Sequence, residues 1–208
     1  MGTIVRGIVL GLSITAPIGP TNVEVIRRGV KEGWKSAFAF CLGVMVALVL
    51  YLLLVVFGFS SVVDVTESAT FNTLMTSFGV AVLAYLSFNS LRDFLTSKEV
   101  DVSGEVSSTR NFVPGIVLTL SNPAILLLWT GIMGADLAAS RSSLRQGLLL
   151  GLGILIGVSI FFVCLTVLIH HGRKFLRRKY LRYVSLVAGV VLLFFCVRFA
   201  YGLLRPLV

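Results

Sequence analysis

Gly7-Ile8-Val9-Leu10-Gly11-Leu12-Ser13 recurs as Gly115-Ile116-Val117-Leu118-Thr119-Leu120-Ser121, with six of seven positions identical at an offset of 108 residues. The same offset pairs Leu42-Gly43 with Leu150-Gly151. Each copy lies in a long uncharged run that soon meets a helix breaker. The first leads into Thr15-Ala16-Pro17-Ile18-Gly19-Pro20-Thr21-Asn22, and the second leads directly into Asn122-Pro123. Proline has no N–H to donate and pushes the residue before it out of the α region, so both runs predict a helix broken near its middle. In the second, Asn122 suits a helix cap and Pro123 the first helical position.

Working outward, the uncharged runs cover 7–23, 36–63, 68–91, 111–135, 146–172 and 183–197, the last resuming after Arg198 as far as Leu204. At a rise of about 1.5 Å per residue, each can cross about 30 Å of hydrocarbon once its polar flanks are included. Arg6 before an apolar run imitates a signal peptide, but Ile14 and Pro17 spoil the small-residue cleavage pattern. The reading is an all-α integral membrane protein of six transmembrane helices. Three spans separate the two copies, so the copies must cross in opposite directions. The expected architecture is two inverted three-helix repeats, 1–95 and 111–208, with helices one and four broken and a polar linker loop over 96–110. Inverted repeats are a transporter architecture, with binding sites at the repeat interface near the bilayer midplane.

Composition agrees. The chain has 208 residues, 57% hydrophobic and only 13% charged, with a mean hydropathy of +0.99. A soluble domain needs about 25% charged residues to solvate its surface, which excludes a soluble enzyme, a disordered tail and a nucleic-acid module. The net charge of +9 resides in short segments between apolar runs, as membrane-flanking charge does. Loops one, three and five hold 13 Lys and Arg residues against 4 on the opposite side. That bias puts those loops in the cytoplasm and both termini outside. Cys41, Cys164 and Cys196 all lie inside apolar runs with no C-x-x-C pair, which argues against a disulfide framework or a zinc site. His170 and His171 are adjacent and interfacial, so no catalytic triad or H-E-x-x-H motif is available. No enzyme activity, metal or cofactor is expected.

Half-helices starting after Pro20 and near Pro123 would aim free N–H groups and positive dipole ends at the midplane, where they favour a carboxylate. Carbonyls released around Ile14 and Leu120 could accept from an ammonium group or a cation. A zwitterion fits both ends. The candidate substrate-binding residues are Thr15, Pro17, Gly19, Pro20, Asn22, Ser121, Asn122 and Pro123, with Thr119 as a further neutral polar contact. Glu24 has two readings. It pairs locally with Arg27 or Arg28, at i+3 and i+4 on one helix face, or it is a site for a coupling proton or the substrate amine. In span five, Gly147, Gly151 and Gly157 read as a close-packing face, with Gly153 standing off it.

The pieces G-L-S-I-T-A-P-I-G-P-T-N from Gly11, I-R-R-G-x-x-x-G from Ile26, Leu42-Gly43, and Ser121-Asn122-Pro123-Ala124 resemble the lysine exporter (LysE) family of amino-acid efflux proteins. The resemblance covers essentially the whole chain. It implies a plasma-membrane secondary exporter of amino acids or related small zwitterions, driven by an ion gradient of H+ or Na+. Members of that family often carry an aspartate shortly after the glycine of span two. Here Val46, Ala47 and Leu48 follow Gly43, and no acid lies between Lys35 and Asp64, so a basic substrate is not implied. The expected partners are that substrate and the bilayer, with self-association into a homo-oligomer left open. Two other functions remain open on the sequence: an inorganic cation exporter of the wider superfamily, and a membrane receptor or assembly factor.

Overall fold

The computed structural model describes residues 2–17, 19–67, 69–95, 109–140, 144–173 and 178–204, and the expected linker falls almost wholly outside them. The described residues form eight helices and no strand: α1 Thr3–Thr15, α2 Pro20–Glu32, α3 Trp34–Glu67, α4 Ala69–Leu95, α5 Thr109–Leu120, α6 Pro123–Ser140, α7 Leu144–Arg173 and α8 Arg178–Leu204. Four of them contain a stretch long and apolar enough to cross a membrane: 34–58, 73–95, 145–172 and 183–202. The other four form two bent pairs, α1 with α2 at 75° and α5 with α6 at 63°, and the spans number up to six if each pair is taken as one. That is consistent with the expected six helices, with the first and fourth broken.

The breaks follow from the local sequence. α1 ends at Thr15, and the chain passes through an extended Gly19 (φ −111°, ψ 178°) before Pro20 opens α2. α2 ends at Gly33, whose φ of 102° is the left-handed conformation that turns the chain into α3 at little steric cost. In the second pair, Pro123 is the first residue of α6, and the Asn122 side chain accepts from the Ala124 N–H at 3.1 Å. That is a helix cap. α3 is kinked at Gly58.

Two helix crossings are built on glycine, and they correspond residue for residue. A methyl group at Gly7 of α1 would lie 2.5 Å from the Leu150 carbonyl oxygen of α7, and one at Gly115 of α5 would strike the Phe40 carbonyl of α3. In the reverse direction, a methyl at Gly153 would strike the Ile4 carbonyl, and one at Gly43 would strike that of Phe112. Only glycine lets backbones approach this closely. The first helices of the two crossings are related by 108 residues and the second helices by 110. Gly43 therefore plays the part of Gly153, not of Gly151, whose added methyl would meet the Leu52 side chain. Gly153 and Gly157 together form the face on α1, which corrects the expectation that Gly153 stood off the packing face.

Candidate functional site

Between the two breaks lies a cavity of about 250 Å³. Thr15, Pro17, Gly19, Pro20, Thr21 and Asn22 contribute from the first break, and Asn122 and Ala124 from the second. Val44 and Leu48 of α3, Trp129 of α6, and Ile154, Val158 and Phe162 of α7 supply apolar wall. No charged side chain lines the cavity among the described residues. Six of the eight candidates named from sequence line this one space. Ser121 and Pro123 do not; Ser121 is buried and its hydroxyl donates to the Val117 carbonyl at 2.7 Å. Thr119 is likewise turned back onto its own helix, donating to the Gly115 carbonyl at 2.8 Å.

The two half-helix starts differ. At α6, Asn122 already occupies the Ala124 N–H. At α2, no side chain caps the first turn, and its first internal bond, from the Val23 N–H to the Gly19 carbonyl, measures 3.1 Å. The unsatisfied N–H groups and positive dipole end at the cavity therefore belong chiefly to α2.

The carbonyl ends are less open than expected. The Asn22 amide donates to the Thr15 carbonyl at 2.8 Å and to the Pro17 carbonyl at 3.0 Å, stapling the first break shut. The Leu120 carbonyl accepts from the buried Tyr51 hydroxyl at 2.9 Å, so it is not free for an ammonium group. Tyr51, Trp129 and Phe162 were missed from sequence. Trp129 is 2% exposed while its neighbour Leu127 is 46% exposed, a difference of helix rotation that no local pattern marks.

Glu24 lies one turn beyond the cavity on α2 and is fully buried. It accepts from Arg27 Nε at 2.8 Å and Nη2 at 2.6 Å, and from Arg28 Nε at 2.8 Å. Arg27 reaches on to Asp93 of α4 at 3.1 Å, where Lys31 also binds at 2.7 Å. Arg28 bonds Asn111 of α5 and lies over the Phe40 ring, 5.1 Å from its centroid. The Asn111 amide donates to Glu32 at 2.9 Å and to Ser36. This layer of paired charge joins α2, α3, α4 and α5 beside the cavity.

A multi-pass helical protein with two broken helix pairs around an uncharged cavity has an architecture suited to membrane transport. The LysE type translocator model matches residues 12–203, and the chain belongs to that family. It is 37% identical over 203 residues to "Putative amino acid efflux protein YcgF" of Bacillus subtilis (strain 168), covering 96% of each chain. A second relative, an "Uncharacterized membrane protein" of Haemophilus influenzae, is 23% identical over 182 residues, covering 85% of this chain and 86% of its own. No solved structure matches the chain.

Proposed function

We propose that the chain is a secondary active exporter of amino acids or related small zwitterions in the plasma membrane, with both termini outside and transport driven by H+ or Na+. One observation carries this reading: an uncharged cavity at the meeting of two broken spans, with the uncapped start of α2 as its source of positive potential. A carboxylate bound there satisfies the first-turn N–H groups without a lysine or arginine, as anions do at helix N-termini. The Trp129 and Phe162 rings line the same space and offer π faces to an ammonium group, since cations are attracted to such faces. The efflux designation of the Bacillus subtilis relative points the same way.

The matched glycine crossings support the inverted-repeat organisation, because α1 lies on α7 as α5 lies on α3. The substrate then sits where the repeats meet. Engagement of both Glu24 oxygens by two guanidinium groups favours the local-pairing reading of that residue over ion coupling.

The test is efflux from proteoliposomes loaded with a panel of amino acids, with and without an imposed ion gradient. Gradient-dependent efflux is expected, with competition by free amino acids. Masking the carboxyl group as an amide removes a charged acceptor worth about 1.5–3 kcal/mol, so affinity should fall at least about tenfold. Equal competition by carboxyl-masked analogues would overturn the helix-start site.

A further inference from the structure

Beyond the paired charges on α2 lies a second cavity, of about 710 Å³, which the central site does not use. It is a groove between α4 and α5 with the far half of α2 as its floor. Its two ends differ in chemistry. One is apolar, formed by Ala81, Val82 and Leu86 of α4 with Val113 and Val117 of α5. The other holds Arg27, Arg28, Glu32, Asp93 and Arg110. From Ala81 to Asp93 the helical rise amounts to about 18 Å, so the groove runs from apolar depth to a charged helix end. Its rim opens sideways, since Tyr85 is 66% and Val113 55% exposed. On membrane-spanning helices such positions face hydrocarbon.

The charges at the polar end are not equivalent. Asp93 is held by Arg27 and Lys31, and Arg27 and Arg28 by Glu24. Arg110, exposed in the first turn of α5, makes no hydrogen bond or ion pair among the described residues. Glu32, which also lines the groove, accepts from the neutral Asn111 and Ser36. Arg110 is thus the lining cation left without a bond among the described residues, and the positive start of α5 lies beside it.

We propose that the groove between α4 and α5 binds an anionic phospholipid, with its phosphate on Arg110 and one acyl chain along Ala81, Val82, Val113 and Val117. A free inorganic anion would leave the apolar end unexplained, and a zwitterionic solute has no route in from the hydrocarbon side. Basic pockets between spanning helices are a recurrent form of lipid headgroup site. The bound headgroup sits next to Asn111, which joins Arg28 to Glu32. Lipid occupancy thus bears on the joint between α2 and α5.

The test uses the full chain purified in detergent and native mass spectrometry with phosphatidylglycerol or phosphatidylcholine of matched acyl chains. Phosphatidylglycerol should be retained in preference. Arg110→Ala should lower its retention at least about tenfold, the scale of one charge-assisted contact, and narrow its preference over phosphatidylcholine, whose phosphate is offset by its own choline cation. Val82→Trp, which fills the apolar end, should lower retention of both lipids. Excess inorganic phosphate should not displace the bound lipid. Equal retention of the two lipids, no effect of Arg110→Ala, or full displacement by inorganic phosphate would overturn the proposal. So would a cross-link through Tyr85→Cys showing that a second copy of the chain fills the groove.

Discussion

Asn22 staples the first break, and replacing it separates two roles for that residue. Its amide makes two bonds, 2.8 Å to the Thr15 carbonyl and 3.0 Å to the Pro17 carbonyl, from a side chain that is largely buried. Asn22→Leu keeps the approximate volume and removes both donors. Each bond contributes about 0.5–1.5 kcal/mol net, so the loss should be about 1–3 kcal/mol. The two carbonyls border a cavity that can admit water, which places the expected value in the lower half of that range. Asn22→Asp has nearly the same shape but turns a donor toward two carbonyl oxygens into an anion, so its loss should exceed that of the leucine variant. The assay is chemical unfolding of the purified chain in detergent, paired with concentration-dependent efflux in proteoliposomes. Both variants should lose stability, and efflux should fall through a lower maximal rate. Unchanged stability in Asn22→Leu together with a tenfold higher KM would refute this reasoning and make Asn22 a direct substrate ligand.

Gly7→Ala and Gly115→Ala each place a methyl against a facing carbonyl; each should cost about 1–3 kcal/mol in the same unfolding assay. Their losses should be similar if the two crossings are equivalent, and Gly131→Ala, with nothing within 4 Å, should cost nothing. Glu24→Gln leaves Arg27 and Arg28 buried without their anion, so unfolding should detect a loss of about 3 kcal/mol. If gradient-driven efflux per folded molecule is unchanged in that variant, Glu24 has no coupling role. With Cys41, Cys164 and Cys196 replaced, an impermeant thiol reagent on intact cells should label Gly2→Cys and Leu207→Cys and leave Ser103→Cys unlabelled. The opposite pattern would invert the topology.

What could be read from sequence alone has short-range causes. Hydrocarbon demands long apolar helices, so the six spans follow from the uncharged runs. Proline and glycine act on their immediate neighbours, so the breaks between Thr15 and Pro20 and at Asn122-Pro123 are local consequences, as is the cap that Asn122 provides. The convergence of Thr15, Pro17, Gly19, Pro20 and Asn22 with Asn122 on one cavity was legible because both breaks were placed at matching depth. The rest required the packed molecule. Tyr51 reaches the Leu120 carbonyl across 69 positions of sequence, and Arg28 meets Asn111 across 83. Trp129 turns inward while Leu127 turns outward. The counterpart of Gly43 in the crossing of α1 and α7 is Gly153, two positions from where the repeat offset placed it. Each of these depends on the rotation and crossing of whole helices. Those are set by the sum of many apolar contacts along each helix, and no single motif encodes them.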